Sequence, residues 1–134
     1  MAFIEVKELS YIAKEKVILQ DINLGIERGE FLVLIGPTGA GKTTLIKLLD
    51  LLEKPSAGTI TYDSALIGLS ERERLIARRR MAFVQQKPLP FNMNVFDNVA
   101  AGLRWRGVRM ADIKPKVKAI LERVGLGDKL LQSA

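Results

Sequence analysis

The sequence predicts an α/β fold, and three observations carry that expectation. Phe31-Leu32-Val33-Leu34-Ile35 is a continuous apolar run between turn signals, which fits a strand buried on both faces of a parallel sheet. The run leads directly into a glycine-rich loop, residues 36–43. From Lys42 onward the apolar spacing becomes helical, with Leu45, Ile46, Leu48, Leu49 and Leu52 on one stripe.

The other elements are read in chain order. Phe3-Ile4-Glu5-Val6-Lys7 alternates and reads as a half-buried strand. Val17-Ile18-Leu19, then Ile22, Leu24 and Ile26, form a second strand region, and Gly29-Glu30 is a turn. Pro55 to Gly58 ends the helix that opens at Lys42, and Thr59-Ile60-Thr61-Tyr62 alternates again as a short strand. Ser70 with Glu73 three residues on is a capping box, opening a helix through Arg80. Met81-Ala82-Phe83-Val84 reads as a buried strand, and Pro88 and Pro90 break the chain after it. Residues 94–104 are helical in pattern. Asp112 is placed to cap a last helix with Pro115 in its first turn, where a missing N–H costs little. Its apolar stripe is Ile113, Val117, Ile120, Leu121 and Val124, and Gly125 is its stop.

Composition narrows the chemistry. At 134 residues the chain is one domain or part of one, and a 48 % apolar content is that of a globular protein. Zero cysteine excludes disulfides and thiolate metal sites. Zero histidine removes the commonest general base and metal ligand. The N-terminus, MAFIEVKELS, has acids where a signal peptide has a basic start, and no apolar stretch is long enough to span a bilayer, so a cytosolic location is the default. Residues 1–50 carry a net charge of −1 and residues 51–134 one of +7. The basic half raises a nucleic-acid module, but Trp105 is the only aromatic among Arg104, Arg106 and Arg109, so no nucleic-acid partner is expected.

The loop reads Gly36-Pro37-Thr38-Gly39-Ala40-Gly41-Lys42-Thr43. Glycines let the backbone turn so that several N–H groups point into one concavity. The helix starting near Lys42 adds its unpaired N–H groups and the positive end of its dipole. The Lys42 ammonium reaches the β- and γ-phosphates of a nucleoside triphosphate, the Thr43 hydroxyl binds Mg²⁺, and Thr44 sits beside the α-phosphate. A chance match in a chain of this length is on the order of a per cent. The loop alone indicates a P-loop NTPase binding Mg-ATP. A soluble nucleotide kinase is one such enzyme, and Arg78-Arg79-Arg80 is a candidate for its lid arginines, though it sits at a helix end where cations suit the dipole.

Leu9-Ser10-Tyr11, Asp21-Ile22-Asn23-Leu24, Arg28-Gly29-Glu30-Phe31 and GPTGAGKTTL occur in that order, before Pro55-Ser56-Ala57-Gly58-Thr59-Ile60 and Val84-Gln85-Gln86. Val95-Phe96-Asp97-Asn98-Val99 and Val124-Gly125-Leu126 complete the set. This ordered series resembles the nucleotide-binding domain of ATP-binding cassette (ABC) transporters over nearly the whole chain. The resemblance implies a RecA-like P-loop core with an antiparallel β subdomain in residues 1–86 and the start of a helical subdomain in residues 87–134. It implies that Tyr11 stacks on adenine. It gives Gln86, or its neighbour Gln85, the contact with Mg²⁺ and the attacking water. It implies a peripheral subunit at the cytoplasmic face of the membrane, with a transmembrane permease and a second ATP-binding subunit as partners. Phe91, Met93 and Phe96 are candidates for the permease contact, with local core packing as the alternative. The stretch from Gln86 to Val99 is similar to importers of oxyanions. The family's signature Leu-Ser-Gly-Gly-Gln, second-motif Asp, catalytic Glu and switch His do not occur in the 134 residues. The sequence thus looks like the first part of such a domain, expected to bind nucleotide weakly with negligible turnover.

Overall fold

The computed structural model describes residues 2–63, 65–66, 70–87 and 89–133, with only the backbone of residues 65 and 66, so the break expected at Pro88 lies outside the described residues. The chain divides into two compact units, Met1–Val84 and Gln85–Ala134.

The first unit is built on a hairpin of β1 (Ile4–Ala13) and β2 (Lys16–Ile26), joined by β3 (Ala57–Tyr62) and β4 (Ala65–Leu66) into an antiparallel sheet of order β2-β1-β3-β4. Both hairpin strands run further than their alternation suggests. The reason is a bulge: the register slips between Val6 and Leu9 on β1 against β2, and just beyond Lys7 against β3. Glu8, inside the slip, has φ 50°. An extra residue turns the next side chain back to the same face, so Val6 and Leu9, three apart, are both buried. Gly58 on β3 lies against this bulge at φ 83°, where a Cβ would fall on the Glu8 carbonyl. The hairpin turn, Lys14-Glu15, holds φ 47° and 64° without glycine or asparagine, an arrangement that costs on the order of 1–2 kcal/mol per residue and that hides the turn from a composition-based reading.

Helix α1 (Lys42–Leu49) starts where the apolar spacing places it. Its Leu45 and Leu48 join Val6, Leu9, Leu19, Ile60 and Tyr62 in one core. Ile46 and Leu52 of the expected stripe remain exposed. Helix α2 (Glu71–Arg78) opens on the expected capping box: the Glu73 N–H donates to Ser70 Oγ at 3.2 Å, and the Ser70 N–H donates to Glu73 Oε2 at 3.1 Å. It buries Arg74, only 4 % exposed. The Arg74 guanidinium donates to the carbonyls of Leu51 at 2.6 Å and Glu53 at 3.0 Å, and Arg78 adds a bond to Leu51 at 3.0 Å. Both carbonyl bonds leave from Nη2, and Nη1 lies 3.9 Å from Glu71 Oε1, while the buried Nε–H meets no acceptor among the described residues; charge-assisted bonds offset part of the cost of burying the cation.

Two expectations are corrected. Neither residues 31–35 nor residues 81–84 form a strand. Phe31 and Ile35 are 90 % and 91 % exposed, and Val84 is 85 % exposed. A parallel strand needs hydrogen-bonded neighbours and covered faces, and the sheet among the described residues is antiparallel and lies elsewhere.

The second unit packs α3 (Val95–Trp105) against α4 (Met110–Arg123) around Ala100, Ile113, Val117 and Leu121, with the 3₁₀ turn Gly127–Lys129 and Leu130 closing one end. Asn94 caps α3 by accepting the Asp97 N–H at 2.7 Å. Helix α4 begins two residues before the expected cap. Arg109 is its N-cap, and Asp112 lies in the first turn, accepting from Arg109 Nε at 2.9 Å. Pro115 therefore sits one turn deeper than expected, and the N–H it lacks would have bonded the carbonyl of exposed Ala111, which solvent reaches. Ile120 and Val124 stay exposed, so the buried stripe of α4 is narrower than the sequence suggests.

Two outcomes are expected. Phe31, Val33 and Ile35 together leave an uncovered apolar run, so the chain by itself self-associates at micromolar concentration; light scattering should show this, and Phe31→Lys with Val33→Lys should reduce it. Arg74→Met leaves the Glu53 carbonyl without its donor and should cost about 1–3 kcal/mol in thermal denaturation. Arg78→Met should cost less, because Leu51 keeps its bond to Arg74.

Candidate functional site

The glycine-rich loop is held between β2 and α1. Gly39 and Gly41 have φ 86° and 85°, a region that side chains with a Cβ disfavour. At Gly41 space is equally decisive: a Cβ there would lie 2.7 Å from Leu19 Cδ2 and 3.1 Å from the Ile18 carbonyl oxygen. The backbone can therefore approach β2 only because this residue has no side chain. Gly41 is also the N-cap of α1 and offers no side-chain cap, and no acidic residue occupies the first turn. The first helical bond runs from the Leu45 N–H to the Gly41 carbonyl at 2.8 Å. Among the described residues, the N–H groups of Gly39, Gly41, Lys42, Thr43 and Thr44 meet no protein acceptor. They form a cluster of unmatched donors at the positive end of a helix dipole, the arrangement that suits a phosphate.

Lys42 completes the concavity. Its ammonium donates to the carbonyls of Gly36 and Pro37, each at 2.7 Å. These bonds fold the loop around the lysine, and the Ala40 N–H to Pro37 carbonyl bond, 3.3 Å, tightens the turn. Thr38 and Gly39 are exposed, Thr43 is exposed and Thr44 is half-buried. The structure thus brings Gly36, Pro37, Thr38, Gly39, Ala40, Gly41, Lys42, Thr43 and Thr44 into one local site. Its donors fit the oxygens of a polyphosphate, and the lysine adds the one mobile charge.

Tyr11 lies on β1 directly opposite Leu19, the residue against which Gly41 packs. Its ring is partly buried against the core of the first unit. Its hydroxyl is bonded to Glu53 Oε2 at 3.2 Å. Burial first, and the Glu53 charge second, hold the phenol above its ordinary pKa, so it stays a donor. The Tyr11–Glu53 bond is not legible in sequence, because it joins residues 42 positions apart. Gln86 and Gln85 are exposed residues at the start of the second unit. Among the described residues no group of three or more acidic, histidine or cysteine side chains can hold a metal. A magnesium ion in loops of this kind is held largely by phosphate oxygens and water, and the exposed Thr43 lies at the surface of α1.

Other sequence candidates resolve differently. Phe96 packs on the core of the second unit, the alternative to permease contact. Phe91 remains half exposed and meets Trp105 edge-on, ring centres 5.2 Å apart. Arg104 is paired with Asp97 and Arg109 with Asp112, each at 2.9 Å, so two of the three arginines around Trp105 serve local ion pairs. Asn98, whose role no local pattern announces, braces the segment before α3 by accepting the Phe91 N–H at 2.8 Å and donating to the carbonyls of Phe91, Met93 and Asn94, each at 3.0 Å. The first unit also holds a cavity of about 530 Å³ lined by Ile4, Ile46, Leu49, Asp50, Tyr62 and Met81 among others. No loop residue lines it, so the largely apolar cavity is distinct from the phosphate concavity.

The model of the ABC transporter family matches residues 19–134. The methionine import ATP-binding protein MetN of Haemophilus influenzae is 40 % identical over 118 residues, covering 87 % of this chain and 34 % of that protein. The corresponding protein of Photobacterium profundum is 44 % identical over 113 residues, covering 83 % and 33 %. In the solved structure of cbiO1 from Clostridium perfringens, described as part of the ABC transporter complex cbiONQ, 54 % of the chain superposes on 98 % of this one with a TM-score of 0.85 and 28 % identity. The chain spans about a third of the length of the curated relatives it matches. The family match over residues 19–134 places this chain in the ABC transporter family.

Proposed function

We propose that this chain is the nucleotide-binding part of an ABC import system, taking Mg-ATP at the Gly36–Thr44 loop. The cluster of N–H groups that no protein acceptor matches, with Lys42 at its centre, carries the reading. A triphosphate tail supplies the acceptors that the loop lacks, in a site whose shape is set before binding. Lys42 binds β- and γ-phosphate oxygens, Thr44 lies by the α-phosphate, and Tyr11 offers its ring face to adenine. The Thr43 hydroxyl would hold Mg²⁺. When bound there, the ion would supply charge stabilisation to the phosphoryl group. Residues 1–86 act as the β subdomain and P-loop core, and residues 87–134 as the start of the helical subdomain.

The partners of this reading are a transmembrane permease subunit and a second ATP-binding subunit, with the chain peripheral at the cytoplasmic face of the membrane. No helix among the described residues is long and apolar enough to cross a membrane itself. The half-exposed Phe91 is the residue best placed for permease contact. The MetN relatives import methionine, which favours that class of cargo over the oxyanion suggested by residues 86–99. Family membership sets the soluble nucleotide kinase aside.

In calorimetry with Mg-ATP, Lys42→Ala should weaken binding about 10- to 100-fold, the worth of one charge-assisted hydrogen bond; unaltered affinity would remove the site. The 134 residues contain no histidine and no Ser-Gly-Gly, so phosphate release by the chain alone should stay far below about 1 s⁻¹, the lower range of enzyme turnover. A phosphate assay reaching that rate would show that hydrolysis needs nothing outside this chain.

A further inference from the structure

We propose that Glu53 is a positioning residue for Tyr11, and that residues 51–56 form a strap holding the tyrosine ring where a nucleotide base can lie on it. The inference rests on the reading of Tyr11 as the base-stacking residue, and it adds how that ring is held.

The strap grips β1 at Tyr11 and at both of its neighbours. The Ser56 N–H donates to the Ser10 carbonyl at 2.9 Å, the Tyr11 hydroxyl bonds Glu53 Oε2 at 3.2 Å, and the Ile12 N–H donates to Ser56 Oγ at 2.9 Å. The other side of the strap is fixed from α2. Buried Arg74 donates to the carbonyls of Leu51 and of Glu53 itself, and Arg78 donates to Leu51 again. Glu53 is therefore a carboxylate on an anchored backbone. Its bond sets the direction of the phenol, which carries only two side-chain torsions.

The strap is also continuous with the phosphate site. Helix α1 begins at the loop, and its C-cap, Asp50, precedes Leu51. A nucleotide would thus lie along one stretch of chain, residues 36–56, with its phosphates on the loop at its start and its base on the Tyr11 ring that its end holds. Fixing a ring beforehand removes an ordering cost that binding would otherwise carry. The Glu53 bond is suited to that task because its acceptor is ionised, which strengthens it.

The test uses the full chain in calorimetry with two ligands, Mg-ATP and Mg-tripolyphosphate, the second having phosphates but no base. Tyr11→Ala should weaken Mg-ATP about tenfold or more, the worth of a base stacked on an aromatic ring, and leave tripolyphosphate unchanged. Glu53→Ala should weaken Mg-ATP about three- to tenfold, as expected for a side chain that must be ordered on binding. It too should leave tripolyphosphate unchanged. Glu53→Gln, which keeps an acceptor oxygen, should restore most of the loss, and Glu53→Ala should add nothing in the Tyr11→Ala background. Equal weakening of both ligands by Glu53→Ala, or a loss that persists without Tyr11, would show a merely structural strap and overturn the proposal. If Tyr11→Ala weakens Mg-ATP and Glu53→Ala does not, the positioning role alone fails. If Tyr11→Ala changes nothing, the base-stacking reading fails and the positioning role with it.

Discussion

The approach of the Gly41 backbone to Leu19 is the contact on which the first unit depends. An added methyl group would meet Leu19 Cδ2 at 2.7 Å, so only glycine lets the start of α1 sit this close to β2. That seat determines the rest. It directs Leu45 and Leu48 into the core shared with Leu9, Leu19 and Ile60. It also aims the uncapped start of α1, and the bend at Gly39 and Gly41, into one concavity. Packing and phosphate chemistry thus share a residue: the glycine needed for core contact is the one that frees the helix N-terminus from a side-chain cap.

Electrostatics in this chain separates into charges that hold structure and charges that stay available. The surface pairs, such as Lys54 with Glu71 at 2.9 Å, are about two-thirds exposed on both sides, and such pairs contribute little. Lys54 keeps the Glu71 carboxyl below its usual pKa, so what small stability it gives is present above the unfolded carboxylate pKa and is lost as pH falls through the lowered one. Arg74 is a different case. It is buried, its Nη2 donates to two carbonyls of the segment after α1, and removing it leaves polar backbone unmatched in the interior. Lys42 stands between the two cases. It is bonded to loop carbonyls, yet both acceptors are neutral, so its charge is not cancelled and remains for a phosphate.

The helices and the loop are legible in the sequence because local chemistry fixes them. Ser70 and Glu73 cap each other within four residues, and the residues that bend the phosphate loop are its own glycines. The features hidden from sequence depend on distant partners or on broken periodicity. The bulge at Glu8 makes Val6 and Leu9 face the same way, so strand β1 loses its period of two midway. The turn at Lys14-Glu15 lacks the residues that mark such turns. The Arg74–Glu53 and Tyr11–Glu53 contacts join residues 21 and 42 positions apart. Phe31–Ile35 fails in the opposite sense. Its composition states a strand clearly, but a strand is a property of pairs, and among the described residues nothing pairs with it.

That uncovered run would give the proposed nucleotide binding a second consequence. The loop begins at Gly36, next to Ile35, and the bonds from Lys42 end on Gly36 and Pro37. Whatever fixes the loop therefore fixes the end of the apolar run. A ligand present at 100 times its dissociation constant adds about 2.7 kcal/mol to the stability of the state that binds it. That is a large share of the roughly 5–15 kcal/mol of a typical domain, and larger than a surface ion pair supplies. A ligand in the proposed loop site would then also restrain the end of residues 31–35, because the two share one stretch of backbone. A site whose donors lack protein acceptors, beside a strand sequence without neighbours, gains more from its ligand than a site in a fully packed domain.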